Sequence, residues 1–280
     1  MKAGKLLSIA IISALLAACS SGGGGGGNGI RPSNPSGPAS LNSVPQQHQS
    51  AVSTAKTINL SDNSGGTIYQ ATLDGKTGTY NFSNLPNGQS NLSINSSEQN
   101  SQGQTTNYSG TMLVYQQPYS VVTGVTLTGG SGPEFETDDV GVFFSDEVLG
   151  FATPLAARAK LIAENAIFEY KGVAFDGKEE GTLNYTMLFG QRMGHGSITG
   201  FARTGAIKLW PAQLTNDGFI RGDALLEGVP SNKQDTKYEL SFFGPNAEEL
   251  AGYVYDDLNG NFLGDSEIIF AGTGKNILAP

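Results

Sequence analysis

From Phe168 onward the chain is a succession of short segments in which apolar and polar residues alternate, each closed by a turn rich in glycine, asparagine or aspartate. Phe168-Glu169-Tyr170-Lys171-Gly172-Val173-Ala174-Phe175 alternates, Asp176-Gly177 is a hairpin dipeptide, and residues 181–189 alternate again. Residues 196–201, 206–209, 219–227, 238–243, 252–255 and 267–271 continue the series. A period of two turns one side of each run toward a core and the other outward. Eight such runs in neighbour-to-neighbour order leave two exposed edges unless the sheet closes, so an up-and-down barrel is the favoured arrangement.

Upstream the signals are also those of strands. Residues 67–73 alternate, 75–78 can turn, and 79–82 resume the pattern. Two β-branched and aromatic runs, 108–115 and 119–127, flank Gln116-Gln117-Pro118 and read as a hairpin. The pattern breaks over 129–136, and 156–166 is the one convincing helical stretch, taken as the join between two domains. The expected fold is therefore mostly β: a small N-terminal antiparallel β domain over 54–155, the helical join over 156–166, and a C-terminal eight-stranded up-and-down antiparallel β-barrel over 167–280.

Ahead of these domains, Lys2 and Lys5 precede an uncharged apolar stretch, 6–18, that ends in Ala17-Ala18. This is signal-peptide grammar, and the stretch is too short to span a bilayer. Cys19 follows it directly and is the one cysteine of 280 residues. A thiol after small residues can be alkylated by a diacylglycerol, and the pattern resembles the lipobox of bacterial lipoproteins. The reading of 1–18 as a signal peptide and Cys19 as a lipidated, palmitate-bearing N-terminus is preferred to plain secretion with an incidental cysteine. At about 0.8 kcal/mol per buried methylene, several acyl chains give a lasting membrane anchor. Residues 19–53, with six consecutive glycines at 22–27 and then Ser, Asn, Pro and Gln, read as a disordered tether without a core.

The formal net charge of −9 becomes −11 once Lys2 and Lys5 leave with the signal peptide. Such a balance opposes binding to nucleic acid phosphates. Catalytic readings fare poorly too. His48 lies in the tether and His195, in Gly194-His195-Gly196, reads as part of a hairpin tip, so no Ser-His-Asp arrangement is in view. Gly272-Thr273-Gly274-Lys275 lacks the upstream glycine of a phosphate loop. Residues 256–267 are acidic, but counted from Asp257 they place Phe262 where a calcium loop needs glycine and Ile268 where it needs glutamate, so Asn259-Gly260 is read as a turn. No metal site and no enzyme are expected.

Tyr170-Lys171-Gly172-Val173-Ala174-Phe175 with Gly181-Thr182-Leu183-Asn184-Tyr185-Thr186 resembles the start of the C-terminal barrel of the factor H-binding proteins, a family of surface lipoproteins. The segment from Tyr238 to Gly252, with Phe243-Gly244-Pro245-Asn246-Ala247-Glu248-Glu249, is similar to the strand, turn and strand near its end. The wider superfamily, with transferrin-binding protein B, carries a similar segment. In it Gly244-Pro245 sets a turn, Asn246 to Leu250 is expected to make one helical turn, and Gly252 lets the chain re-enter the sheet. Gly110 to Val122 resembles the family's N-terminal domain.

The resemblance implies an outer-membrane, cell-surface lipoprotein, exported with a surface lipoprotein assembly modulator, that binds a host serum protein. A complement regulator of the factor H kind comes first, serving immune evasion. The alternative is a haem, haemoprotein or transferrin-type iron-acquisition receptor, and a lipoprotein with a merely structural role in the envelope is a third class. The two barrel glutamates that contact factor H in the family fall near Gln234 and Tyr255, neither acidic here, which leaves the ligand open. Trp210-Pro211, Phe219 and the 253–262 hairpin are the contact candidates, although for the lone Trp210 burial in the barrel is favoured. For haem, His195, Met193, Tyr115 and Tyr119 are the candidate ligands, with a glycine-flanked histidine more often solvent-exposed than ligating.

Overall fold

The computed structural model describes residues 39–64, 67–228, 236–256 and 267–278. Cys19, the signal segment, the tether up to residue 38, Gln234 and 257–266 of the acidic turn lie outside the described residues.

Residues 39–53, read as tether, instead begin the described fold. α1 (Ala39–Asn42) and α2 (Gln46–Ala55) form there, and Val44 and Val52 are buried. Val44, in the bend between the two helices, and Val52, on α2, enter an apolar seam that composition alone does not announce. A two-stranded pair follows, β1 (Thr57–Asn59) with β4 (Thr79–Asn81). A six-stranded antiparallel sheet then runs in the order β2 (Ser61–Ser64), β3 (Thr67–Leu73), β5 (Gly88–Gln99), β6 (Thr105–Gln116), β7 (Ser120–Ser131), β8 (Phe143–Gly150). β6 and β7 are the hairpin expected about Pro118. The core of this half holds Leu73, Phe82, Met112, Val114 and Val121.

α3 (Leu155–Ala163) then leads into the barrel. It is closed and antiparallel, with strands β9 (Ile167–Phe175), β10 (Glu180–Leu188), β11 (Met193–Phe201), β12 (Gly205–Gln213), β13 (Phe219–Leu226), β14 (Thr236–Phe243), β15 (Glu249–Asp256) and β16 (Ile268–Asn276) in sequence order, β16 returning to β9. The period of two is literal in β10, where Leu183, Tyr185 and Met187 are buried while Thr182 and Asn184 are exposed. Phe168, Tyr170, Phe189 and Phe242 cluster at one end of the interior, Phe168 stacked on Tyr170 and the other pairs tilted or edge-on, with contacting ring centroids 5.5–5.8 Å apart. The Tyr170 hydroxyl donates to the Ala247 carbonyl at 2.8 Å, so the buried phenol keeps a partner.

Two local expectations are corrected. Residues 246–250 make no helical turn: Ala247 takes a left-handed φ of 62° and β15 begins at Glu249, because the buried Tyr170 and Ala247 pull the turn onto the barrel end. Gly194-His195-Gly196 is not a hairpin tip but lies within β11, paired with β10. Its glycines answer to Tyr185, since a Cβ at Gly194 would stand 2.2 Å from the Tyr185 hydroxyl and one at Gly196 2.6 Å from its ring. Gly194→Ala is accordingly expected to cost about 1–3 kcal/mol by overpacking, read as a lower urea midpoint at unchanged m-value.

An apolar seam joins the two halves, made of Val44, Val52, Leu113, Tyr119, Val122, Phe143, Phe175, Phe243, Ala251, Ile269 and Ala271. At its centre the β6–β7 turn is gripped from both sides. Fully buried Lys56, the residue that ends α2, donates from Nζ to the carbonyls of Gln117 and, at 2.9 Å, Pro118. From the barrel, the Glu249 carboxylate accepts from the Tyr119 N–H at 3.0 Å and the Ser120 hydroxyl at 2.8 Å. Burial pushes the Glu249 carboxyl up to about 7 against the pull of Ser120, Tyr119 and Lys56, and it pushes the Lys56 ammonium down to about 8 against the pull of Glu249.

Candidate functional site

In β12 to β15 the buried residues Leu209, Ile220, Ala224, Tyr238, Leu240 and Val254 face the interior, so their neighbours form the outer wall. Antiparallel register aligns these outward residues in transverse rows. Asp223 pairs with Lys237 and Lys237 with Tyr255, while Trp210 stands one residue past the Leu209–Ala224 pair, level with Asp223. The next row carries Arg221, Glu239 and Tyr253, and the one after it Phe219, Ser241 and Ala251.

Charges on this wall neutralise one another between strands. Lys237 Nζ lies 2.7 Å from Asp223, Arg221 Nε 2.6 Å from Glu239, and Arg221 Nη1 2.9 Å from Asp217. The Thr215 hydroxyl, and then the Arg221 guanidinium, hold the exposed Asp217 carboxyl down at about 2. Aromatic rings sit among these pairs. Lys208 Nζ is 5.2 Å from the Trp210 ring centre, the Arg221 guanidinium 4.6 Å from that of Phe219, and Tyr253 and Tyr255 lie 5.5 Å apart. Burial is the main cause that pushes the Tyr253 phenol up, so it stays a neutral donor and acceptor. The wall thus offers wide aromatic area and polar groups already held in place by neighbours, which lowers the ordering cost of docking a protein surface.

Trp210 is 48 % exposed, which corrects its expected burial: the register places it outward, and Tyr238 fills the interior and donates to the Trp210 carbonyl at 2.7 Å. Phe219 is half-buried on the same wall, with Tyr255 on β15. His195 is exposed on β11, opposite the bulge that Trp210 and Pro211 make between the Gly194–Ala212 and Gly196–Leu209 pairs. These four candidates therefore lie on β11, β12, β13 and β15, with β14 between the last two. The other residues weighed for haem do not join them as a set: Tyr119 is in the interdomain seam and Tyr115 packs on Phe175 at 5.6 Å, whereas half-buried Met193 opens β11. Arg221, Asp223, Lys237 and Glu239 were missed by sequence reasoning. Their period-two placement was legible, but which strand's charge meets which depends on register.

The acidic groups on this wall, Asp223 and Glu239, are each engaged by a cation of a neighbouring strand, so Tyr255 brings a phenol to a place where carboxylates are already matched. No curated protein matches this sequence. Among solved structures, intact Ap-TbpB (N and C lobes) superposes with a TM-score of 0.39 at 11 % identity, over 79 % of this chain and 41 % of that one. Isotype 1 transferrin binding protein B from serogroup B Neisseria meningitidis superposes with a TM-score of 0.30 at 9 % identity, over 65 % of this chain and 66 % of that one. The chain therefore spans less than half the length of the first and about two thirds of the second. Residues 160–254, from α3 through most of β15, match the family Factor H binding protein, C-terminal, and bear out over that stretch the resemblance read from Tyr170 to Thr186 and from Tyr238 to Gly252.

Proposed function

We propose that this chain is a bacterial surface lipoprotein, anchored in the outer membrane through Cys19, that binds a host serum protein on the outer wall of β12 to β15, with a complement regulator of the factor H kind as the first partner to test. The observation that carries the reading is the row Trp210, Asp223, Lys237 and Tyr255, in which exposed Trp210 and half-buried Tyr255 bracket an ion pair, on the domain that matches Factor H binding protein, C-terminal. Tryptophan and tyrosine are over-represented where protein interfaces concentrate their energy. Export by a surface lipoprotein assembly modulator belongs to the same proposal.

The test is capture from sera of several hosts on the immobilised mature chain, with bound proteins identified by mass spectrometry. Trp210→Ala and Tyr255→Ala are each expected to weaken the captured interaction about tenfold or more, with unchanged thermal midpoints because both side chains lie outside the core. Recovery of an iron carrier in place of a complement regulator moves the reading to the iron-acquisition alternative. Retention of no serum protein from any host overturns it.

A further inference from the structure

Arg158, in the first turn of α3, is half-buried, and its guanidinium has no hydrogen-bond acceptor among the described residues; its Nε is wholly shielded. The side chain lies flat on the turn before β13. A Cβ at Gly218 would stand 2.3 Å from Arg158 Nη1 and 2.9 Å from Cζ, so glycine there makes the space the guanidinium occupies. A second arginine holds the other side of the same turn. Arg192 donates from Nε and Nη2 to the Leu214 carbonyl at 3.2 and 3.1 Å, and from Nη2 to Asn216 Oδ1 at 2.8 Å.

Positive charge collects here, and the acceptors that Arg192 meets are neutral oxygens. The first turn of α3 holds no acidic residue, and Pro154 ahead of it offers no capping side chain, so the positive end of the helix adds to the two cations. Asp217, the nearby carboxylate, is already taken by Thr215, Arg221 and the Phe219 N–H. Burial lowers the Arg158 pKa, Asp217 opposes that, and Arg192 adds to it. An Nε–H shielded from water and without an acceptor is costly, and the fork of guanidinium N–H groups matches an oxyanion in shape and charge. Such a concentration of arginine is notable on a chain whose net charge is −9.

We propose that the notch between Arg158, Arg192 and the 214–218 turn binds the oxyanion head of an acidic ligand, a carboxylate or a phosphate ester, with Arg158 as the forked donor and Arg192 as the supporting charge. The site does not rest on the serum-protein reading, and its test uses no serum protein. The mature chain is followed by NMR of the arginine Nε–Hε resonances during titration with sodium acetate and, separately, sodium glycerol phosphate, at ionic strength held constant with chloride. The Arg158 resonance is expected to shift saturably at millimolar anion, while Arg203, paired with Asp176, stays in place. Arg158→Gln is expected to abolish the saturable shift that Arg192 senses, and Arg192→Gln to weaken the Arg158 response several-fold. Arg158→Lys, which keeps the charge but loses the fork, is expected to weaken it as well. A stronger acetate arm assigns an acidic side chain or acidic sugar as the ligand source, and a stronger phosphate arm a phosphorylated headgroup. Absence of saturation in both arms, or a shift at Arg192 that persists unchanged in Arg158→Gln, overturns the site.

Discussion

Lys56→Met is expected to destabilise the protein by about 3 kcal/mol, because the buried Gln117 carbonyl and the part-buried Pro118 carbonyl lose a charged donor. Glu249→Gln is expected to cost about 2 kcal/mol: the amide oxygen still accepts from the Tyr119 N–H, but the charge that answers Lys56 is gone. The two residues hold one turn from opposite domains, so the double variant should fall short of the sum by at least about 1 kcal/mol. Urea unfolding of the four proteins at one pH measures this. Strict additivity would mean that the β6–β7 turn is held by two independent contacts rather than one clamp.

The same pair sets a pH profile. Native Glu249 keeps its proton to about 7 against an ordinary 4.5, so across that window the folded state binds more protons and stability declines as pH rises. Asp146, pushed up to about 6 by burial against the Thr123 hydrogen bond, and Glu267, also raised mainly by burial, act with the same sign. Native Lys56 loses its proton near 8 against an ordinary 10.5, so there the unfolded chain binds more protons and stability climbs with pH. The expected thermal midpoint therefore passes through a minimum between about pH 7 and 8. Glu249→Gln should flatten the acid limb and Lys56→Met the alkaline one; a midpoint that rises steadily from pH 5 to 7 would contradict the assignment.

The second large effect is expected at the closure of the barrel. A Cβ at Gly172 would lie 1.9 Å from the Ala271 carbonyl oxygen and 2.5 Å from the Gly272 Cα, so the obstacle is backbone of β16 and cannot rotate away. Gly172→Val must part β9 from β16, the pair that turns an open sheet into a barrel. A loss of about 3 kcal/mol or more follows, above the usual cost of an extra core methyl. Urea unfolding and near-ultraviolet circular dichroism of the barrel aromatics would report it, and an unchanged midpoint would show that β9 and β16 can separate locally at little cost.

Much of this architecture was legible in residue order. The alternation in Phe168 to Phe175 and residues 181–189, followed by six further runs, specified strands, their inward faces and the neighbour-to-neighbour barrel. The hairpin about Pro118 and the helical stretch expected over 156–166, which forms as Leu155–Ala163, were equally readable, because turn chemistry and short-range periodicity are local properties. Residues 39–55 misled, since a polar, proline-bearing segment with a few valines gains order only when an apolar seam receives Val44 and Val52. His195 misled in the other direction, because glycines beside it imitate a turn while serving the distant ring of Tyr185.

By itself, then, the sequence determined the class of structure and the strand series, both of which depend on the order of neighbouring residue types. Only the tertiary structure decided that Trp210 faces solvent level with Asp223, Lys237 and Tyr255, that Lys56 and Glu249 grip one turn from two domains, and that Arg158 and Arg192 crowd another. Each of these turns on register or on contacts between residues tens of positions apart, and a period of two reveals which face a side chain takes but never which side chain it meets there.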